Sequence, residues 1–235
     1  MKRQFDPGEP ELMDRPQPVT TELTSDLRNL RQLNRYFGSY RLIEHFLRRW
    51  IQPRSRMRIL DLATGSGDIP RLIVDYARNA GANVTVHAVD QQPSTLEIAR
   101  SLSRDYPEIE FIEGDVLSFG ESGGYDVVFC SLALHHFEEA AAVELLRRCR
   151  DLSRQYVLVS DLRRGLLATI GVYLLTAVIF REPMTRTDAR LSAARAFSFL
   201  EFRSLAERAG WKNFGHAKFA FARQAVWLEP AVSRS

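Results

Sequence analysis

Lysine is almost missing from this 235-residue chain. It stands only at positions 2, 212 and 218, so 29 of the 32 basic residues are arginine. No run of like charge forms a nucleic-acid arm, and a formal net charge of +3 gives little field to steer a polyanion. Cysteine is nearly as scarce. Cys130 and Cys149 have neither metal-ligand spacing nor a disulfide framework, and no signal peptide is read before them. No metal is therefore expected, and a reducing cytoplasm is the default. Long apolar runs are also few. The longest uncharged stretch, 165–180, has sixteen residues, short of the roughly 20 that a membrane span needs. Its leucine, isoleucine and valine residues cover every face, so a helix here must be buried on more than one side. It is expected as a lid over an acceptor pocket, with a dimer contact or docking on a membrane surface as alternatives.

What the chain does have is concentrated at Arg58–Pro70. The apolar run Ile59 to Leu62, broken only by Asp61, leads into Gly65-Ser-Gly67 and then a helical pattern opened by Asp68 and Pro70. Strand, glycine turn and helix form the first unit of a nucleotide-binding α/β sheet. A dinucleotide fingerprint wants a third glycine where Pro70 stands, which disfavours a nicotinamide oxidoreductase. Asp61 and Asp68 would also repel a pyrophosphate. They suit a ligand carrying an ammonium or sulfonium group, and S-adenosylmethionine carries both.

Along the chain, residues 1–19 hold four prolines and are expected to be irregular. Leu23, Leu27, Leu30, Leu33 and Phe37 then recur at helical spacing, and a second helix carries Leu42, Ile43, Phe46, Leu47 and Trp50. These helices pack on the sheet or cap the cofactor, with Asn34, Arg35, Tyr36 and Arg41 as candidate polar contacts. Strands are expected at 83–90, 109–115, 125–131 and 156–161. The second ends in Asp90, placed to accept both ribose hydroxyls, with Gln91 beside it. The third ends in Asp115-Val116, an acid and a backbone N–H suited to the adenine edge. After the fourth come Ser131-Leu132 and the pair His135-His136; the fifth ends in Asp161, followed by Arg163. Residues 185–196 are polar and arginine-rich. Ser198 and Glu201 make a capping box for a helix stopped at Gly210, and 213–228 form a closing hairpin.

With these residues the chain resembles the class I S-adenosylmethionine-dependent methyltransferases. Within them it resembles the small-molecule branch related to the ubiquinone/menaquinone-biosynthesis enzymes. The matching pieces are Leu60–Asp68, Ala88-Val-Asp90, Glu113–Val116, Tyr125–Val128 and Ser131–Phe137. The flanks Met13-Asp14, Leu33–Gly38 and Ser160–Arg163 resemble bacterial members of polyketide and quinone-type pathways. The resemblance implies a Rossmann-like, doubly wound α/β sheet of seven strands in the order 3-2-1-4-5-7-6, with strand seven antiparallel. A leader and helical cap (1–52) would precede a methyltransferase domain (53–235) with a lid segment at 164–197.

By family role Asp61, Ala63, Gly65 and Gly67 would hold the methionine end of the cofactor, and Asp90 and Gln91 the ribose. Asp115 and Val116 would meet the adenine, and Ser131 and Leu132 the sulfonium region. Ala63 departs from the pattern, since it replaces the first glycine of a Gly-x-Gly-x-Gly motif.

Methyl transfer needs alignment, exclusion of water and, for a hydroxyl acceptor, removal of a proton. His136 is the leading candidate base, with His135 as the other and Asp161 as the partner. The expectation is methyl transfer to a hydrophobic phenolic, quinol-like or polyketide acceptor, at oxygen rather than carbon. A non-catalytic cofactor-binding regulator or partner subunit is the main alternative.

Overall fold

In the computed structural model, which describes residues 2–120, 122–165, 171 and 183–230, seven strands form one sheet in the order β3-β2-β1-β4-β5-β7-β6. The strands are β1 (Arg56–Leu62), β2 (Asn83–Asp90), β3 (Ile109–Glu113), β4 (Tyr125–Ser131), β5 (Ser153–Leu162), β6 (Gly215–Phe219) and β7 (Arg223–Leu228). β1 runs parallel to β2 and β4, β2 to β3, and β4 to β5, while β7 is antiparallel to both β5 and β6. This is the topology the resemblance implied. Sequential strands leave β1 in opposite directions, so the crevice beyond the carboxyl ends of β1 and β4 is the switch point where such sheets bind ligands.

The period-two alternation of each strand divides the core between the two faces. Leu60 and Leu62 of β1, Val128 and Cys130 of β4, and Val157 and Val159 of β5 share one apolar cluster. Their neighbours Ile59, Val127, Phe129 and Leu158 belong to the other. Both faces are covered, which is why the central strands read as nearly continuous apolar runs. Helices α5 (Glu139–Leu152) and α7 (Phe199–Arg208) supply the first cluster, and α2 (Ser39–Trp50) and α3 (Asp68–Ala80) the second. Phe46 of α2 is fully buried between Trp50 and Trp227, with ring centroids 5.0 and 5.1 Å away.

Helix α1 (Thr21–Tyr36) starts where the Thr20 hydroxyl accepts the Leu23 N–H. It packs Leu23 and Leu27 on Ile98 of α4 (Pro93–Leu102). The Ser198–Glu201 capping box is present at α7. Two strand boundaries differ from the sequence expectation, and two features left open there are filled in. β3 stops at Glu113 because Asp115 heads a turn, its carbonyl accepting the N–H of Ser118 and of Phe119. β5 starts at Ser153, which pairs with Tyr125 across a register shift. The hairpin turn lies at Ala220–Ala222, where Phe221 and Ala222 take left-handed backbone angles. The arginine-rich stretch is a helix, α6 (Pro183–Arg195).

The leader is irregular apart from one short turn at Leu12–Asp14, as expected, but it is tied down. Asp188 of α6 accepts the backbone N–H of Leu12 and of Met13, at 2.9 and 3.0 Å. Arg195 donates to the carbonyls of Asp6 and Glu9. Arg3 reaches the carbonyls of His135 and Phe137. The helix expected over 165–180 lies, except for Gly165 and Gly171, outside the described residues. No helix among the described residues is long and apolar enough to cross a membrane.

Candidate active site

The turn after β1 explains the glycine spacing. Ala63, Gly65 and Gly67 all adopt positive φ, at 57°, 54° and 71°. Glycine takes such angles without a Cβ penalty, and a non-glycine residue there costs about 1–2 kcal/mol. Ala63 therefore fits the first glycine position of the motif at the cost of local strain. The loop is tied to the end of β2: the Thr64 N–H donates to the Val89 carbonyl, and the Gly65 N–H to the Asp90 carboxylate at 2.8 Å.

A cavity of about 800 Å³ opens above this turn, in the size range of small-molecule sites. It is lined by Asp61, Ala63, Gly65, Asp90 and Gln91, and by Val116, Ser131 and Leu132. Leu132 takes φ 56°, and its N–H is held by the Ser160 carbonyl. His135 and His136 also line it. Leu27, Leu30, Phe37 and Phe137 add apolar surface.

Three expected residues stand outside the lining. Gly67 lies behind it, where an added Cβ would meet the Phe111 ring at 2.7 Å. The Asp115 side chain is turned to its own loop and accepts the Leu117 N–H. Asp161 is buried behind His135.

Asp61 is the group that most constrains the ligand. It is 2% exposed, and among the described residues its carboxylate accepts one side-chain hydrogen bond, from the Thr64 hydroxyl at 2.6 Å, with no cation paired to it. Burial pushes it up to about 8; the Thr64 bond opposes this, and the charges of Asp68 and Asp90 add to it. A buried, cation-free carboxylate at a strand end fits the ammonium end of S-adenosylmethionine. Asp90 holds the N–H of Gly65 on one oxygen and that of Gln92 on the other, at 2.8 and 3.0 Å. Burial raises Asp90, and these backbone donors pull against the shift. Asp68 accepts from Asn34 of α1 and from the Tyr40 hydroxyl of α2, so the two helices roof the start of α3. Tyr36, one of the expected polar contacts, is mostly exposed.

The structure pairs Asp161 with His135. One Asp161 oxygen accepts the His135 backbone N–H at 2.8 Å, and the other meets His135 Nδ1 at 2.6 Å and the Leu162 N–H at 2.6 Å. Burial alone would raise Asp161, but the His135 imidazole and the Leu162 N–H outweigh it and hold the group ionised. An ionised carboxylate only accepts, so Nδ1 carries the proton, and Nε2 lies toward Glu11 at 3.7 Å.

His136 has a different partner, with its Nδ1 2.7 Å from Asp14. Burial pulls His136 down, yet Glu11 and Asp14 prevail and raise it to about 9. Glu11 is buried and lies 3.7 Å from His135 Nε2 and 3.9 Å from His136 Nε2. Glu11 and Asp14 come from the leader and were not singled out as site residues; the one signal was Met13-Asp14 among the flanking matches.

The family model described as a methyltransferase domain matches residues 59–155. Over these residues, less than half of the chain, the protein is similar to methyltransferase domains. A 2-phytyl-1,4-naphtoquinone methyltransferase of Thermosynechococcus vestitus is 34% identical to the chain over 82 residues, 35% of each protein. A demethylmenaquinone methyltransferase of Chlorobaculum tepidum is 36% identical over 99 residues, 40% of this chain and 36% of that one. The chain thus spans little more than a third of the length of these relatives. A crystal structure of an S-adenosylmethionine-dependent methyltransferase from Aquifex aeolicus shares the fold with a TM-score of 0.61 at 16% identity, covering 87% of this chain and 97% of that one. The matched segment carries Asp61, Asp90 and both histidines. Glu11, Asp14 and Asp161 lie outside it.

Proposed function

We propose that the protein transfers a methyl group from S-adenosylmethionine to a hydrophobic small molecule, a phenol, quinol or polyketide-type acceptor, with a hydroxyl oxygen as the favoured nucleophile. The observation that carries this reading is one cavity lined by Asp61 and Asp90, by His135 and His136, and by apolar side chains. The relatives named above, whose printed names concern naphthoquinone and menaquinone substrates, support the acceptor class. The cofactor supplies a methyl group already activated on a sulfonium. The chain's task is then alignment, worth about 7–11 kcal/mol, and exclusion of water.

Asp61 and the 63–67 turn would fix the methionine end and Asp90 the ribose. Leu132 and Ser131 would pass the methyl donor toward the acceptor. The acceptor hydroxyl would lie against His135, which would take its proton as the oxygen–carbon bond forms and the sulfur–carbon bond breaks. His136, raised to about 9, already carries a second ring proton at neutral pH. Incubation with methyl-labelled cofactor and a panel of phenols, quinols and polyketide products, read by mass spectrometry, should show label in one product class. Label on ring carbon would move the nucleophile from oxygen to carbon. No label in any acceptor, with the cofactor still bound, would leave a non-catalytic binding protein.

Asp61 also predicts a pH dependence. Its folded value near 8 lies above the ordinary 3.8, so the cofactor-free protein holds the proton at neutral pH. The same shift favours folding in acid, and that contribution is lost as pH rises from about 4 to about 8. A cationic ligand beside Asp61 returns it to carboxylate and releases the proton. S-adenosylmethionine affinity should therefore rise with pH and level off above about 8, and Asp61→Asn should flatten the profile. Calorimetry in two buffers of different ionisation enthalpy reads the released proton directly; equal apparent enthalpies at pH 7 would contradict it.

A further inference from the structure

The two histidines are oriented alike, although they are neighbours in sequence. Each has Nδ1 fixed by a carboxylate, His135 by Asp161 at 2.6 Å and His136 by Asp14 at 2.7 Å. Each then presents Nε2 to the same third group, the Glu11 carboxylate, at 3.7 and 3.9 Å. One ligand atom from each of Glu11, His135 and His136 lies within 4.8 Å of the others. Zn–N and Zn–O bonds of about 2.1 Å place donors roughly 3–4 Å apart, so closing this set on an ion takes only small side-chain movements.

Carboxylates holding the distal nitrogen are the usual outer support of a metal-binding histidine. His136, raised to about 9, must give up its second ring proton to the solvent when an ion binds, so binding weakens in acid. The charges point the same way. Glu11, Asp14 and Asp161 surround two imidazoles, while the nearby Arg3 and Arg195 donate to backbone carbonyls. Glu11 is held in place by the Ser192 hydroxyl at 2.7 Å.

We propose that Glu11, His135 and His136 bind a first-row transition-metal dication in the cavity. Two imidazoles and one carboxylate suit such ions better than calcium or magnesium, which prefer all-oxygen shells. Three protein ligands leave positions open toward the cavity, the arrangement of a catalytic rather than a structural site. Its use, holding an acceptor oxygen as the oxyanion, rests on the methyl-transfer reading; the site itself does not. The sequence could not reveal it, because the third ligand comes from the proline-rich leader.

The test uses the full chain stripped with chelator and dialysed, titrated with Zn²⁺ by calorimetry and with Co²⁺ by visible absorption. One ion per chain is expected, with a ligand-field spectrum from Co²⁺. Glu11→Gln should abolish the spectrum and Asp14→Asn should weaken binding by about 10–100-fold, as loss of an outer support does. If Glu11→Gln does not fold, the Asp14 position, whose side chain is 27% exposed, decides.

No stoichiometric binding, or equal binding by wild type and Asp14→Asn, would overturn the proposal. S-adenosylhomocysteine binding and methyl transfer are measured on the same samples. Metal binding without methyl transfer leaves the site standing and removes the functional reading. Full methyl transfer by metal-free protein that binds no Zn²⁺ does the reverse.

Discussion

Replacing His135 by alanine lowers turnover on a hydroxyl acceptor by about 10²–10⁴-fold, the range for losing a group that handles the reacting proton. The size follows from how the ring is held. Asp161 takes both the backbone N–H and Nδ1 of His135, so Nε2 is held in a fixed direction and tautomer. Both uses of that lone pair, on a proton or on a metal, require the imidazole. Cofactor affinity should stay within a few-fold of wild type, because neither Asp61 nor Asp90 is hydrogen-bonded to His135. Asp161→Asn should act through His135. All three groups bonded to Asp161 donate to it, so an amide must turn its NH₂ toward one of them. Single-turnover kinetics with saturating cofactor separate these effects. If His135→Ala keeps turnover within a few-fold of wild type, the ring is structural and alignment alone carries the rate.

Asp90→Ala should weaken S-adenosylhomocysteine binding by roughly 2–4 kcal/mol, since charged hydrogen bonds contribute about 1.5–3 kcal/mol each and do not add fully. Each Asp90 oxygen already holds one backbone N–H, from Gly65 or Gln92. A carboxylate has about four acceptor positions, which leaves room for two ribose hydroxyls. Alanine removes both the ribose contact and the tie that shapes the glycine turn. Asp90→Asn keeps one oxygen and should lose less. Calorimetry reads both variants, and unchanged affinity in a folded Asp90→Ala protein removes the ribose assignment.

The parts of the fold that could be read early are those whose signal is local. β2 and β4 have the expected bounds because each is a β-rich run closed by a polar residue, Asp90 or Ser131. The capping box at Ser198 is written in two residues three apart. Elements fixed by distant contacts could not be read this way. Helix α6 carries no clean apolar stripe because it buries Thr185, Asp188 and Ser192, which bond the leader and α1. The start of β5, Ser-Arg-Gln, is polar and joins the sheet only through its pairing with β4.

The site divides in the same way. Asp61, Asp90, Val116, Ser131 and Leu132 follow from strand ends in a doubly wound sheet, and all five line the cavity. The pairing of Asp161 with His135 rather than His136, and the arrival of Glu11 and Asp14, depend on how β5 and the leader cross the loop after β4. Nothing in residue spacing encodes that crossing.

The most direct measurement is an equilibrium titration of the wild-type chain with S-adenosylmethionine and, separately, with NADH. Asp61, paired among the described residues with no cation, and Pro70 in the third-glycine position both oppose a dinucleotide. Saturable binding of one S-adenosylmethionine per chain, displaced by S-adenosylhomocysteine, with no heat from NADH at the same concentrations, is the result the account predicts. Saturable NADH binding with no response to S-adenosylmethionine would contradict it.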